Sequence, residues 1–209
     1  MTDQNEDYLL VVEDVPDILG LLNATLKFKG YKVVTATNGE EALAVINEKH
    51  PALVITDILM PKMDGFSLVH RLRLNPVTRD IPVIFLSATY IAPEDKEFAL
   101  TIGVTRFFEK PVDWDEFLPL INSLMNDKID TPKPLNEVEF YEGYKKRLET
   151  KLRHKNTQIA RDQHLYETLE DAQKQSFKTS LQAAIHEREE IQELLDQIHN
   201  QINDLTNKE

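Results

Sequence analysis

Between residues 8 and 126, five short apolar runs alternate with five stretches of helical spacing, and this alternation limits the fold more than any other feature of the chain. The runs are Tyr8–Val12, Lys32–Thr35, Ala52–Thr56, Pro82–Leu86 and Thr105–Phe108. Most are apolar almost throughout, as strands are when helices cover both faces of their sheet. The intervening stretches carry helix punctuation. Asp17–Lys29 stops at Gly30, and Asn38 stands three residues before Glu41 in a cap-like pairing. Asp64-Gly65 opens a stretch through Leu74, Pro93–Ile102 stops at Gly103, and Asp113–Met125 is the last. Strand–helix repetition implies parallel strands with right-handed crossovers. The expected fold class is α/β, a doubly wound five-stranded parallel sheet with its site beyond the carboxyl ends of the strands.

Polar residues stand at those ends. Glu13 and Asp14 follow the first run, Asp57 the third, Ser87 the fourth and Lys110 the fifth. In a doubly wound sheet the first and third strands are neighbours, so the three carboxylates converge. Clustered carboxylates repel, and a hard cation relieves them; magnesium suits an open, all-oxygen site that also takes a phosphate. The set reads as phosphoryl-transfer equipment, with Asp57 as nucleophile, Lys110 as a point charge and Ser87 as a hydrogen-bond donor.

The stretches LLVVED (9–14), VITDILMPKMDG (54–65), VIFLSA (83–88) and FFEKP (107–111) together resemble the receiver domain of two-component response regulators, a flavodoxin-like fold. The resemblance spans residues 8–126. It implies that Glu13, Asp14 and Asp57 bind Mg2+, with the backbone carbonyl of Leu59 as a further ligand. It implies phosphorylation of Asp57 by a cognate histidine kinase or phosphotransfer protein. Lys110 and Ser87 would read the phosphoryl group, and the Lys110–Pro111 bond would be cis. Chemistry of its own would be limited to self-phosphorylation from small donors and slow self-dephosphorylation, so the chain is expected to be a phosphoacceptor rather than an enzyme. The sequence departs from the family at the aromatic switch position, where members often carry tyrosine: here Phe107 can couple by packing but has no hydroxyl.

Composition narrows the alternatives. The net charge of −12 disfavours a generic polyanion binder. There is no cysteine, which removes disulfides, thiolate zinc sites and cysteine nucleophiles together. The segment from Met1 to Asp7 is polar and acidic, and no apolar run reaches the ~18 residues of a membrane span. The expectation is a cytoplasmic protein that does not enter a membrane.

The remainder reads differently. Residues 127–137 (DKIDTPKPLNE) break the pattern at Pro132 and Pro134 and read as a linker between a domain at 1–126 and an all-α region at 138–209. After Gly143 no glycine or proline occurs. Phe177, Leu181, Ala184, Arg188, Ile191, Leu195, Ile198, Ile202 and Leu205 alternate by four and three, a coiled-coil seam with one polar member. A second seam runs from Tyr141 to Leu169, one residue out of phase with the first. Either a turn near Asp171–Ser176, with Ser176 and Thr179 capping a new helix, or a one-residue skip in one long helix explains the offset; the turn is favoured. Residues 144–161 hold seven Lys/Arg and one acid, and residues 187–209 hold seven acids and two bases, which suits a hairpin. Three roles compete for this region: homodimerisation or docking of a downstream protein, DNA binding through the basic stretch 144–161, and phosphotransfer through His154, His164, His186 or His199. The first is favoured. The basic stretch lacks helix-turn-helix spacing, and His186-Glu187-Arg188 is too short a match to a kinase histidine box.

Overall fold

The computed structural model describes residues 7–87, 93–126, 132–169 and 171–207. Five strands, β1 (Leu9–Val12), β2 (Val33–Ala36), β3 (Leu53–Asp57), β4 (Val83–Ser87) and β5 (Arg106–Glu109), form one parallel sheet ordered β2-β1-β3-β4-β5. Helices α1 (Pro16–Phe28), α2 (Gly39–Glu48), α3 (Gly65–Leu74), α4 (Pro93–Thr101) and α5 (Trp114–Asn126) alternate with them. The doubly wound α/β architecture is thus as the alternation required. The last four strands lie one residue later than the apolar runs alone place them. Asp57 and Ser87 therefore end their strands, paired into the sheet, instead of following them.

Side chains alternate across a strand, so each strand feeds two cores. Leu9, Val11, Leu53, Ile55, Ile84 and Leu86 pack with Leu22 and Leu26 of α1 and Phe117, Ile121 and Leu124 of α5. On the other face Phe85 meets Phe66 of α3 edge-on at 5.2 Å, and Phe66 meets Phe98 of α4 at 5.4 Å. Local chemistry fixes the helix starts. Asn38 caps α2 by accepting from the Glu41 amide at 3.0 Å, and Asp64 caps α3 by accepting from the Ser67 amide at 2.7 Å.

One buried cation was not legible in the sequence. Arg73, 1% exposed on α3, donates to the carbonyls of Gly103, Arg79 and Ile81 at 2.8–3.2 Å. It ties the end of α3 to the turns before β4 and β5. Burial pulls its pKa down to about 10, against the opposing charge of Asp80.

Beyond the sheet, a second compact unit begins at Asn136. Its helices are α6 (Glu137–Thr168) and α7 (Asp171–Thr206), packed on one another. Asn136 and Glu139 form a reciprocal capping box, so the helix opens one residue earlier than the expected start at 138. α6 ends at Thr168 and α7 begins at Asp171, so the helices part ahead of Asp171–Ser176 rather than within it. Thr179 therefore lies inside α7, where its hydroxyl donates to the Gln175 carbonyl rather than capping a helix start. The expected hairpin is present, and two contacts give its register: Lys155 bonds Glu187 at 2.8 Å and Tyr166 stacks on Phe177 at 6.4 Å. Extended along the helices, this register sets Ile159 level with Ala184, Leu152 with Ile191 and Leu148 with Leu195. The two phase-shifted seams are the two halves of one antiparallel interface.

Candidate functional site

The sheet order reverses direction between β1 and β3, which opens a crevice at their carboxyl ends. Glu13 follows β1 and is fully buried, Asp14 is half-buried beside it, and Asp57 ends β3 half-buried. Each offers a carboxylate oxygen within 4.8 Å of the others, the one such acidic group among the described residues. Lys110, just past β5, reaches across the sheet. Its Nζ donates to Glu13 Oε2 at 2.5 Å and to Asp57 Oδ2 at 2.9 Å. The other Asp57 oxygen accepts from the Ile58 amide at 2.6 Å.

Electrostatics follow from this packing. Burial lifts the Glu13 carboxyl above its ordinary range, helped by the Asp57 charge and opposed by Lys110. Burial also pulls the Lys110 ammonium down, but its bonds to Glu13 and Asp57 and their charges outweigh that, and the net direction is up. Lys110 is therefore a fixed cation held against the carboxylates. The donor set is all oxygen, compact and acidic, and it fits a hard divalent ion.

Other expected residues are placed as follows. Leu59 lies two residues past Asp57 in an irregular loop and is 56% exposed. Ser87 ends β4 next to the Asp57 pairing position, and its carbonyl accepts from the Lys110 amide at 2.7 Å. Phe107 is half-buried in β5, its ring edge-on to Phe85 at 5.6 Å. The Lys110–Pro111 peptide is cis. Of the α7 seam, Ala184, Ile191, Leu195 and Ile198 are buried within the single chain, while Phe177, Leu181, Arg188, Ile202 and Leu205 are half-buried. In the basic stretch Arg147 is buried against the Tyr144 ring at 5.2 Å, and Lys155 is paired with Glu187. His164 and His186 are exposed, each near a glutamate one turn on.

Glu13, Asp14, Asp57 and Lys110 at the carboxyl edge of a β2-β1-β3-β4-β5 sheet define a class of α/β signalling module, and the sequence relationships agree. Residues 9–122 match the response regulator receiver domain, and the chain belongs to that family. It is 37% identical over 131 residues to the probable transcriptional regulator ycf27 of Pyropia yezoensis, covering 62% of this chain and 52% of that protein. It is 33% identical over 118 residues to the response regulator SaeR of Staphylococcus aureus, covering 56% of this chain and 50% of that one. This chain thus spans about half the length of each of these regulators. The chemotaxis response regulator CheY4 of Vibrio cholerae superposes with a TM-score of 0.52 at 30% identity, covering 56% of this chain and 98% of that one.

Proposed function

We propose that this chain is a response regulator of a two-component phosphorelay, phosphorylated on Asp57 by a histidine kinase or phosphotransfer protein. The observation that carries the reading is Lys110, whose ammonium sits between Glu13 and Asp57 beside Asp14 at the sheet's carboxyl edge. A carboxylate oxygen of Asp57 attacks the phosphorus of the donor. The donor's bond to phosphorus breaks, its electron pair leaves with the donor, and an acyl phosphate remains. The Lys110 ammonium turns to one phosphoryl oxygen and the Ser87 hydroxyl donates to another. Glu13, Asp14 and Asp57, with the Leu59 carbonyl, would hold magnesium, whose charge offsets that of the phosphoryl oxygens. Phe107 moves inward as Ser87 does and changes the surface around β5 by packing alone. Its own chemistry is limited to self-phosphorylation and slow self-dephosphorylation, and it works in the cytoplasm. Among the described residues no helix is long and apolar enough to cross a membrane.

The α6–α7 hairpin serves dimerisation or docking of a downstream protein. The core of its α7 seam is buried in one chain, so self-association would use the half-buried residues Phe177, Leu181, Ile202 and Leu205. Phosphate incorporation from acetyl phosphate, with magnesium and again after chelation, tests the first part. Incorporation that chelation abolishes is expected, and none in either condition contradicts it. Light scattering before and after beryllium fluoride tests the second. A dimer in either state supports self-association, and a monomer in both leaves docking of another protein.

A further inference from the structure

The loop from Ile58 to Asp64 touches the acceptor directly, because the Ile58 amide donates to Asp57 Oδ1 at 2.6 Å. Its far end rests on α2. The Gly39 amide donates to the Met63 carbonyl at 3.0 Å. A Cβ at Gly39 would lie 2.7 Å from Met63 Cγ and 2.8 Å from the Met63 carbonyl oxygen, closer than such atoms approach. Lys62, just before, has φ 66°, the left-handed region, which side chains other than glycine seldom adopt. The loop's near end is held in the same way: the Gly65 amide donates to the Ile58 carbonyl at 2.8 Å, and a Cβ there would lie 2.5 Å from the Asp57 carbonyl oxygen.

The chemistry of Asn38-Gly39 argues that this contact has a purpose. Asn38 already caps α2, and a glycine in the first turn costs backbone entropy without adding to the cap. Its missing side chain is used by Met63. We propose that Gly39 is a positioning residue for the phosphoryl site: it seats Met63, which fixes the course of the 58–64 loop and through it the Asp57 carboxylate and the Leu59 carbonyl. The inference rests on the proposed magnesium-dependent receiver reading. An added methyl at Gly39 pushes Met63 off its seat and spreads the oxygens that would hold the ion.

The test is calorimetric titration with magnesium of the full chain, comparing wild type, Gly39→Ala, Gly39→Ala with Met63→Ala, and Gly20→Ala. A Cβ at Gly20 would meet nothing within 4 Å, so this position serves as the helix-glycine control. Magnesium binding by Gly39→Ala is expected to weaken roughly tenfold, the scale on which supporting residues affect metal sites. Met63→Ala in that background restores part of the affinity, and Gly20→Ala changes nothing. An unchanged affinity in Gly39→Ala, with or without a lower Tm, would overturn the inference. Hydrogen exchange of the wild-type Gly39 amide is independent of any variant's folding: protection that deepens with magnesium supports the seat, and exchange at the free-peptide rate overturns it. If wild type itself fails to bind magnesium, the underlying receiver reading falls instead.

Discussion

The sheet unit and the helical hairpin are stabilised by similar apolar packing, yet only one of them specifies chemistry. At the sheet edge each polar residue has one place to be: Glu13 is buried with its charge answered by Lys110, and Lys110 in turn contacts Asp57. Displacing any of them leaves a buried charge or opens the crevice. In α6 and α7 most polar residues are spread along solvated faces, and in the cross-helix ion pair Lys155–Glu187 the glutamate is about half exposed. A hairpin defined by seam spacing can keep its shape through many substitutions. Its spacing therefore names no partner, whereas the clustered carboxylates and lysine of the sheet unit bear directly on the proposed phosphoryl transfer.

The contrast can be broken by substitution. Lys110→Ala should have the largest effect, cutting phosphorylation from small donors by roughly 10²–10³, as removal of one charge-stabilising donor does. Magnesium binding should not weaken, since the ammonium and the ion share the Glu13 and Asp57 oxygens; a weaker titration would mean that Lys110 organises the carboxylates instead. Arg73→Ala comes next. It strips partners from the buried Gly103 and Ile81 carbonyls and from that of Arg79, and empties a packed volume, and denaturant unfolding of the first unit should lose about 3 kcal/mol. Leu148→Ala, 2% exposed, should cost about 2 kcal/mol in the hairpin and leave the phosphorylation rate unchanged. A rate that follows it would break the division of labour drawn above. Lys155→Ala is the smallest, below about 0.5 kcal/mol in thermal unfolding, because its pair with Glu187 is partly solvated.

How far the sequence could be read differs between the same two regions, for physical reasons. Strand periodicity and strand-end carboxylates made the sheet, its order of elements and the cluster of Glu13, Asp14, Asp57 and Lys110 legible, since parallel winding brings those ends together. Apolarity alone ends β3 and β4 one residue early, because Asp57 and Ser87 are polar yet paired into the sheet. Arg73 was missed because a charged residue on an amphipathic helix normally faces water, and only the arrangement of the Gly103, Arg79 and Ile81 carbonyls makes burial tolerable. The Gly39–Met63 seat joins residues far apart in sequence; a glycine in the first turn of a helix already capped by asparagine was its only local sign. In the tail the two seams were visible, and their one-residue offset did mark a helix break. Ser176 and Thr179 look like caps and so point to a break a few residues late, whereas Thr179 bonds back within its own helix.

The central claim is that Asp57 is the phosphoacceptor. Mass spectrometry of peptides from the full chain after acetyl phosphate and magnesium tests it most directly, with wild type beside Asp57→Asn. One base-labile phosphoryl group is expected on the peptide holding Asp57, absent from the variant. Phosphate retained by Asp57→Asn at the wild-type level, or found on a histidine of α6 or α7, would contradict it.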